Sequence, residues 1–311
     1  MAYYVRVTVP VADLRRRPIE ARPLNIHDEV QESQVLFHEV LLVREETAGW
    51  LRVDALEQQK STLRGWQGYP GWVRKKDVTG TEGPGKYDGV VRRPFAMLRT
   101  IPSAAGRPVF PLSLGTRLSL AGEVKGFIEV LMDGRQIGWV PKRDIARTVE
   151  ALPVRERAAD VVRTARLFLG AAYLWGGRSM PMPWSRGPVM GVDCSGLVNL
   201  VFRALHLELP RDAHDQWMTA TAIAAQALRP GDLIFLSRPG EVGSVNHVML
   251  SLGGERFIEA AETGDIVRIR TFSQMFGLGL RALEEKAFTL HNKRFYFGRI
   301  DHDVVTSFMK R

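Results

Sequence analysis

The only cysteine of the 311-residue chain, Cys194, stands in the run Asp193-Cys194-Ser195-Gly196. An apolar stretch follows at once, with Leu197, Val198, Val201, Phe202 and Leu205 at helical spacing. Cys194 is therefore expected at a helix N-terminus, where unpaired N–H groups and the macrodipole favour a thiolate. Asp193 or Ser195 can cap that end. The small residues Ser195 and Gly196 let a substrate carbonyl approach backbone donors, as an oxyanion site requires. A lone cysteine is otherwise a small apolar core residue, and a capped structural helix accounts for the same run. One cysteine also excludes an intrachain disulfide and a cysteine-based metal cluster.

A thiol nucleophile needs a base. Of the seven histidines, His27 and His38 fall in strand-rich sequence, His206 ends the cysteine helix, and His214, His291 and His302 lie in polar, turn-like or terminal stretches. His247 differs. It opens HVMLSL, whose alternation puts Val248, Leu250 and Leu252 on one face and His247, Met249 and Ser251 on the other. Gly253-Gly254 then turns the chain into RFIEAA. Glu259 shares the His247 face if the loop holds an odd number of residues or a bulge intervenes; a plain two-residue turn puts it on the opposite face. The expectation is the odd loop or the bulge, with Glu259 orienting the imidazole. A solvated strand carboxylate is the alternative.

The elements that must hold these residues divide the chain. Residues 1–80 are short, β-branched and turn-rich, and a related pattern recurs over 88–148: GTRLSLAGEVKGFIEVLM echoes HEVLLVREETAGWLRVDAL, and GWVPKRDI echoes GWVRKKDV. This predicts tandem modules of one small barrel type, separated by the Gly-rich linker TGTEGPGKYDG. From Pro153 the character changes. Ala158, Val161, Val162, Ala165, Leu167 and Leu169 form a helical stripe that stops at Gly170, and after the cysteine helix come strands at DLIFL, HVMLSL, RFIEAA and RFYFGRI. Residues 153–311 are thus expected to form an α+β domain, with Cys194 on a helix laid against the sheet face that bears His247 and Glu259.

Composition bounds the setting. With 45% hydrophobic and 25% charged residues the profile is that of a soluble globular protein. No stretch approaches the ~18 apolar residues needed to cross a bilayer. The opening residues alternate like a strand and do not follow the pattern of a signal peptide, which makes a cytoplasmic location the expectation. The net charge of +9 suits an anionic partner, yet the basic residues are scattered and accompany no nucleic-acid-binding motif, so nucleic acid is not expected.

Six segments add a further signal: YLWGG (173–177), GVDCSGLV (191–198), LPRDAHDQ (209–216), LRPGDLIFL (228–236), NHVMLSLG (246–253) and RFIEA (256–260). In sequence and order they resemble the NlpC-type papain-like bacterial cysteine peptidases, across essentially the whole C-terminal domain. ESQVLFHE (32–39) and GWQGYPGWV (65–73) resemble bacterial SH3-like modules. Two such modules before the peptidase make the chain similar to the γ-D-glutamyl-L-diamino acid endopeptidases, which act on peptidoglycan peptides.

The resemblance implies an α+β papain-like catalytic domain preceded by two small all-β SH3-like barrels. It implies Cys194 as nucleophile, His247 as base and Glu259 at the third polar position, which is usually histidine in that family. No metal and no organic cofactor are implied. Substrate contacts are implied for Asp193 and Ser195 with the D-glutamyl portion, for Trp175 in YLWGG, and for Glu32 and Tyr69 with the free amino end of L-Ala. Ala213 stands where some relatives carry a substrate-binding serine. RSMPMPWSRGP (178–188) enlarges the segment before GVDCSG and reads as a cleft lid or a surface insertion. Two other functions fit the same features: an amidase or acyltransferase acting on another substrate, and a non-catalytic cell-wall-binding protein.

Overall fold

Alternating β-branched runs broken by Gly and polar pairs form strands throughout the first half of the chain. The computed structural model describes residues 2–20, 27–147, 157–182, 189–285 and 288–301. Seven strands come first: β1 (Tyr3–Val7), β2 (Val11–Arg15), β3 (Gln31–Leu36), β4 (Val40–Thr47), β5 (Trp50–Thr62), β6 (Gly65–Arg74) and β7 (Val78–Thr81). They pair in the order β3-β2-β6-β5-β4-β1-β7. The next seven are β8 (Gly89–Val91), β9 (Phe95–Arg99), β10 (Pro108–Ser113), β11 (Arg117–Val124), β12 (Phe127–Met132), β13 (Arg135–Pro141) and β14 (Ile145–Arg147). Their order, β10-β9-β13-β12-β11-β8-β14, repeats the first sheet strand for strand. Among the described residues each sheet is an open path of antiparallel pairings. Each has its own apolar core, Leu14, Val35, Val43 and Val53 in one and Leu98, Leu118, Val130 and Val140 in the other.

The C-terminal region holds α1 (Ala158–Arg166), α2 (Cys194–Arg203), α3 (Ala213–Thr219), α4 (Phe272–Phe276) and α5 (Leu280–Glu285). Its strands are β15 (Thr221–Ala222), β16 (Leu233–Leu236), β17 (His247–Gly253), β18 (Arg256–Glu259), β19 (Arg268–Thr271), β20 (Thr289–Leu290) and β21 (Lys293–Arg299). The sheet order is β15-β21-β16-β17-β18-β19, with β20 paired to β21. Both faces of this sheet are covered, which is why Leu233–Leu236 reads as an unbroken apolar run. On one face α1 and α2 pack Val161, Leu197 and Val201 against Phe235, Val248 and Leu250. On the other, Ile234, Met249 and Phe257 pack with Phe272 and Phe295.

This corrects one expectation. The cysteine helix covers the Val248/Leu250 face, whereas His247 alternates to the opposite side. The apolar stripe of α2 needs the alternate, apolar residues of β17. Cys194 and His247 meet because each is the first residue of its element.

Buried charge joins the three parts. Arg203 of α2 donates to Glu57 Oε2 of β5 at 2.6 Å, to Glu208 Oε2 at 2.9 Å and to the Gly115 carbonyl at 2.8 Å. Arg178 donates to Glu39 Oε1 at 2.7 Å and to Asn199 Oδ1 at 2.7 Å. Arg178, Arg203 and Glu39 are all fully buried. Of the expected loop at 178–188, residues 183–188 lie outside the described residues.

Candidate active site

The start of α2 is fixed by its own sequence. Asp193 caps it, with Oδ1 accepting from the Gly196 N–H at 2.7 Å. The helix end is pressed against the YLWGG loop: the Asp193 N–H reaches the Gly177 carbonyl at 3.2 Å. A Cβ on Gly196 would lie 2.1 Å from that same carbonyl oxygen, so only glycine fits. Cys194 is left half-buried, with its sulfur at the rim of a cleft.

His247 lines the cleft beside Cys194, close enough for the sulfur to act on its titration. Its Nε2 faces Glu259 Oε2 at 3.5 Å. The hairpin reaches this geometry through the bulge alternative. Gly253 pairs with Arg256 across a two-residue turn, but the register shifts between Ser251 and Gly253, so that Ser251 faces Phe257 and Leu250 faces Ile258. Continued, this sets Glu259 opposite Met249 and on the His247 side. Glu259 is fully buried, and its Oε1 accepts from Arg268 Nε at 3.3 Å. Burial disfavours the imidazolium, but the neighbouring Cys194 and the Glu259 carboxylate outweigh it and raise the His247 pKa to about 9. Burial likewise opposes the Glu259 carboxylate, which His247 and Arg268 nevertheless hold below the ordinary range. An imidazolium beside a half-buried sulfur is the charge arrangement of a thiolate nucleophile with its acid-base partner.

The two residues flanking Cys194 are tied to a third. Arg211 donates Nη2 to Asp193 Oδ2 at 2.6 Å, Nη1 to Asp193 Oδ1 at 3.0 Å, and Nη1 to Ser195 Oγ at 2.9 Å. Its Nε donates to Ser33 Oγ of β3 at 2.8 Å. A bidentate, buried pair of this kind is rigid. Tyr173 of YLWGG lies beside them, buried and lining the cleft. Burial, then Asp193, then Cys194 push its phenol well above its usual range, so it stays protonated.

The cleft has a volume of 1090 Å³ and runs from the Cys194–His247 pair to the first β module. Glu32 and Tyr69 line its far part together with Asp212. Tyr69 donates to Asp212 Oδ1 at 3.0 Å and stands 3.5 Å from Glu32 Oε2. Trp175 forms the rim, 42% exposed and tilted against the His27 ring at 5.1 Å.

Cys194, His247, Asp193, Ser195, Glu32, Tyr69 and Trp175 therefore all open onto one cleft, with Glu259 buried behind His247. Sequence reading missed Tyr173, Arg211 and Asp212, although all three sit inside motifs it singled out. It also passed over His27, His214 and His291, which line the same cleft. Histidine 302 lies outside the described residues. Among the described residues no group of three or more His, Cys, Asp or Glu side chains is placed to hold a metal ion. No described helix is long and apolar enough to cross a membrane.

Known proteins resemble this chain in sequence and in fold. Residues 170–277 match the profile of the NlpC/P60 family. The γ-D-glutamyl-L-lysine dipeptidyl-peptidase of Bacillus subtilis (strain 168) is 29% identical over 277 residues, covering 88% of this chain and 86% of the relative. The protein of the same name from Bacillus cereus is 30% identical over 244 residues, covering 76% of this chain and 69% of the relative. The crystal structure of an NlpC/P60 family protein from Bacillus cereus superposes with a TM-score of 0.76 at 23% identity, covering 96% of this chain and 99% of that one, which establishes the shared papain-like fold. The chain belongs to the NlpC/P60 family and is a cysteine-type peptidase.

Proposed function

We propose that this peptidase hydrolyses the γ-D-glutamyl–diamino acid bond of peptidoglycan-derived peptides that carry a free N-terminal L-Ala. The observation that carries the reading is a single cleft with Cys194 and His247 at one part and the Glu32, Tyr69 and Asp212 group at another. Carboxylates beside a phenol suit an ammonium group. The names of the two Bacillus relatives point to the same bond.

In this mechanism the Cys194 sulfur attacks the γ-carbonyl carbon of D-glutamate. The oxyanion is held by the Cys194 N–H and the Tyr173 hydroxyl. As the C–N bond breaks, His247 gives its proton to the leaving amine. Water then loses a proton to His247 and attacks the thioester, which releases the acid and regenerates the thiol. Asp193, Ser195 and Arg211 form the wall beside the D-glutamyl unit.

The two N-terminal sheets fit this reading as SH3-like modules spanning 1–80 and 88–148, with the catalytic domain over 153–311. The first module narrows the cleft so that a free peptide enters and intact polymer does not. A cytoplasmic place in cell-wall peptide recycling belongs to the same proposal, and cell fractionation tests it.

Incubation with L-Ala-γ-D-Glu-meso-diaminopimelate should release L-Ala-γ-D-Glu, read by product masses, and Cys194→Ala should abolish it. Cleavage at another bond, or Cys194-independent cleavage, would overturn the proposal. So would cleavage of intact sacculi as fast as the free tripeptide.

A further inference from the structure

The group assigned above to the substrate amine already holds an ammonium of the protein's own. Lys60 lies near the end of β5, whose pairing with β6 shifts register between Ala55 and Gln59. Beyond that shift the strand is pinned to the catalytic domain. The Gln59 carbonyl accepts from the Arg211 N–H at 3.1 Å, and the Ser61 N–H donates to Asp215 Oδ2 at 2.9 Å. This delivers the Lys60 side chain into the cleft. Its Nζ donates to Asp212 Oδ2 at 2.9 Å and to the Tyr69 hydroxyl at 3.3 Å, and lies 4.3 Å from the centre of the Tyr69 ring.

Asp212 confirms that the arrangement is directed at the cleft. It is the N-cap residue of α3, yet its side chain caps no backbone N–H. Both its oxygens are occupied, Oδ1 by Tyr69 and Oδ2 by Lys60. Glu32 is paired with Arg16. An incoming ammonium therefore meets carboxylates that are already countered, one of them by a group of its own kind.

We infer that Lys60 is a specificity-determining residue that competes with the substrate's terminal ammonium for Asp212 and Tyr69. It weakens binding of amine-terminated peptides and compresses the preference for them over N-acylated ones. The Lys60 side chain is 32% accessible, so its ammonium can swing to solvent when a ligand displaces it.

The inference rests on the proposed amine site, and binding separates it from the proposed reaction. Calorimetry with the dipeptides L-Ala-γ-D-Glu and N-acetyl-L-Ala-γ-D-Glu needs no turnover, and Cys194→Ala protein serves as background. Adding Lys60→Met should tighten the free-amine dipeptide by about threefold, the scale of a partly exposed ion pair, and leave the acetylated one unchanged. Lys60→Gln, which keeps a hydrogen-bond donor without the charge, should act in the same direction. Weaker or equal binding of the free-amine dipeptide in both variants overturns the inference, as does its failure to bind any form. Cleavage of the tripeptide by the wild type, measured in parallel, decides the proposed function separately. If Lys60 merely orders Asp212 and Tyr69, both variants lose affinity.

Discussion

His247 Nε2 lies 3.5 Å from Glu259 Oε2, and that carboxylate has no exposed surface. Burial works against the imidazolium, but Cys194 first and this carboxylate second outweigh it and raise the His247 pKa to about 9. The imidazolium is the proton donor of the proposed acylation step. Activity should therefore persist below pH 9 and fall as pH rises through about 9, where that proton is lost. The stability contributed by this pairing follows the same sign: fully present below the unfolded histidine value near 6.5, lost through about 9. Glu259→Gln should move the alkaline limb of kcat/KM to lower pH and cost at least about tenfold, roughly 1.4 kcal/mol of barrier. An unmoved limb would show that Glu259 does not act on the ring.

Tyr173 should act on kcat and leave KM alone. Its phenol is protonated throughout the working range and stands in the cleft near Cys194. A donor that meets only the developing oxyanion contributes on the order of 2.7–4 kcal/mol. Tyr173→Phe should lower kcat by about a hundredfold or more with KM within a factor of two or so. A rise in KM with kcat unchanged would instead make Tyr173 a ground-state binding residue.

The catalytic pair was legible because its signals are local. Cys194 precedes a helical stripe, and His247 opens an alternating strand. The Glu259 side was legible only as a choice between loop and bulge, since parity depends on one residue of register that composition does not fix. The face of the helix was misjudged because α2 takes its partners from Val248 and Leu250, which the catalytic pairing does not require. Arg211, Asp212 and Tyr173 were passed over for a different reason. Each works through partners distant in sequence, as Arg211 does with Ser33 and Tyr69 with Asp212, and no local pattern announces such a contact. The repeat of the first β sheet in the second was visible in paired strands and turns. That their strand orders coincide is a property of pairing, which sequence echoes alone do not reach.

Gly196 should tolerate no side chain. Its position beside the Gly177 carbonyl leaves 2.1 Å for a Cβ, and the obstacle is backbone. Gly196→Ala must push the YLWGG loop away from the start of α2 and displace Cys194 from His247. The expected cost is about 1–3 kcal/mol of stability, as for other overpacked sites, with loss of most activity. Urea unfolding and thiol alkylation rates measure the two effects. A fully active, equally stable variant would mean that the loop yields freely.

Arg203 should be the residue on which the joining of the three parts most depends. It is fully buried and faces three carboxylates, Glu39 at 3.3 Å, Glu57 at 2.6 Å and Glu208 at 2.9 Å, while its Nε holds the Gly115 carbonyl of the second β module. Replacing it by methionine keeps the stem but takes a buried cation from all three carboxylates and leaves Glu57 without its nearest one, a change that typically costs about 3–5 kcal/mol. By contrast, Arg52→Met breaks only the exposed pair with Glu45 and should cost about 1 kcal/mol or less. Because Arg203 touches both β modules from α2, its loss should also split unfolding into separate transitions, with the second module uncoupled from the rest. Calorimetry of the two variants tests both the size and the shape of the effect. A single sharp transition within about 1 kcal/mol of the wild type for Arg203→Met would show that apolar packing alone joins the modules.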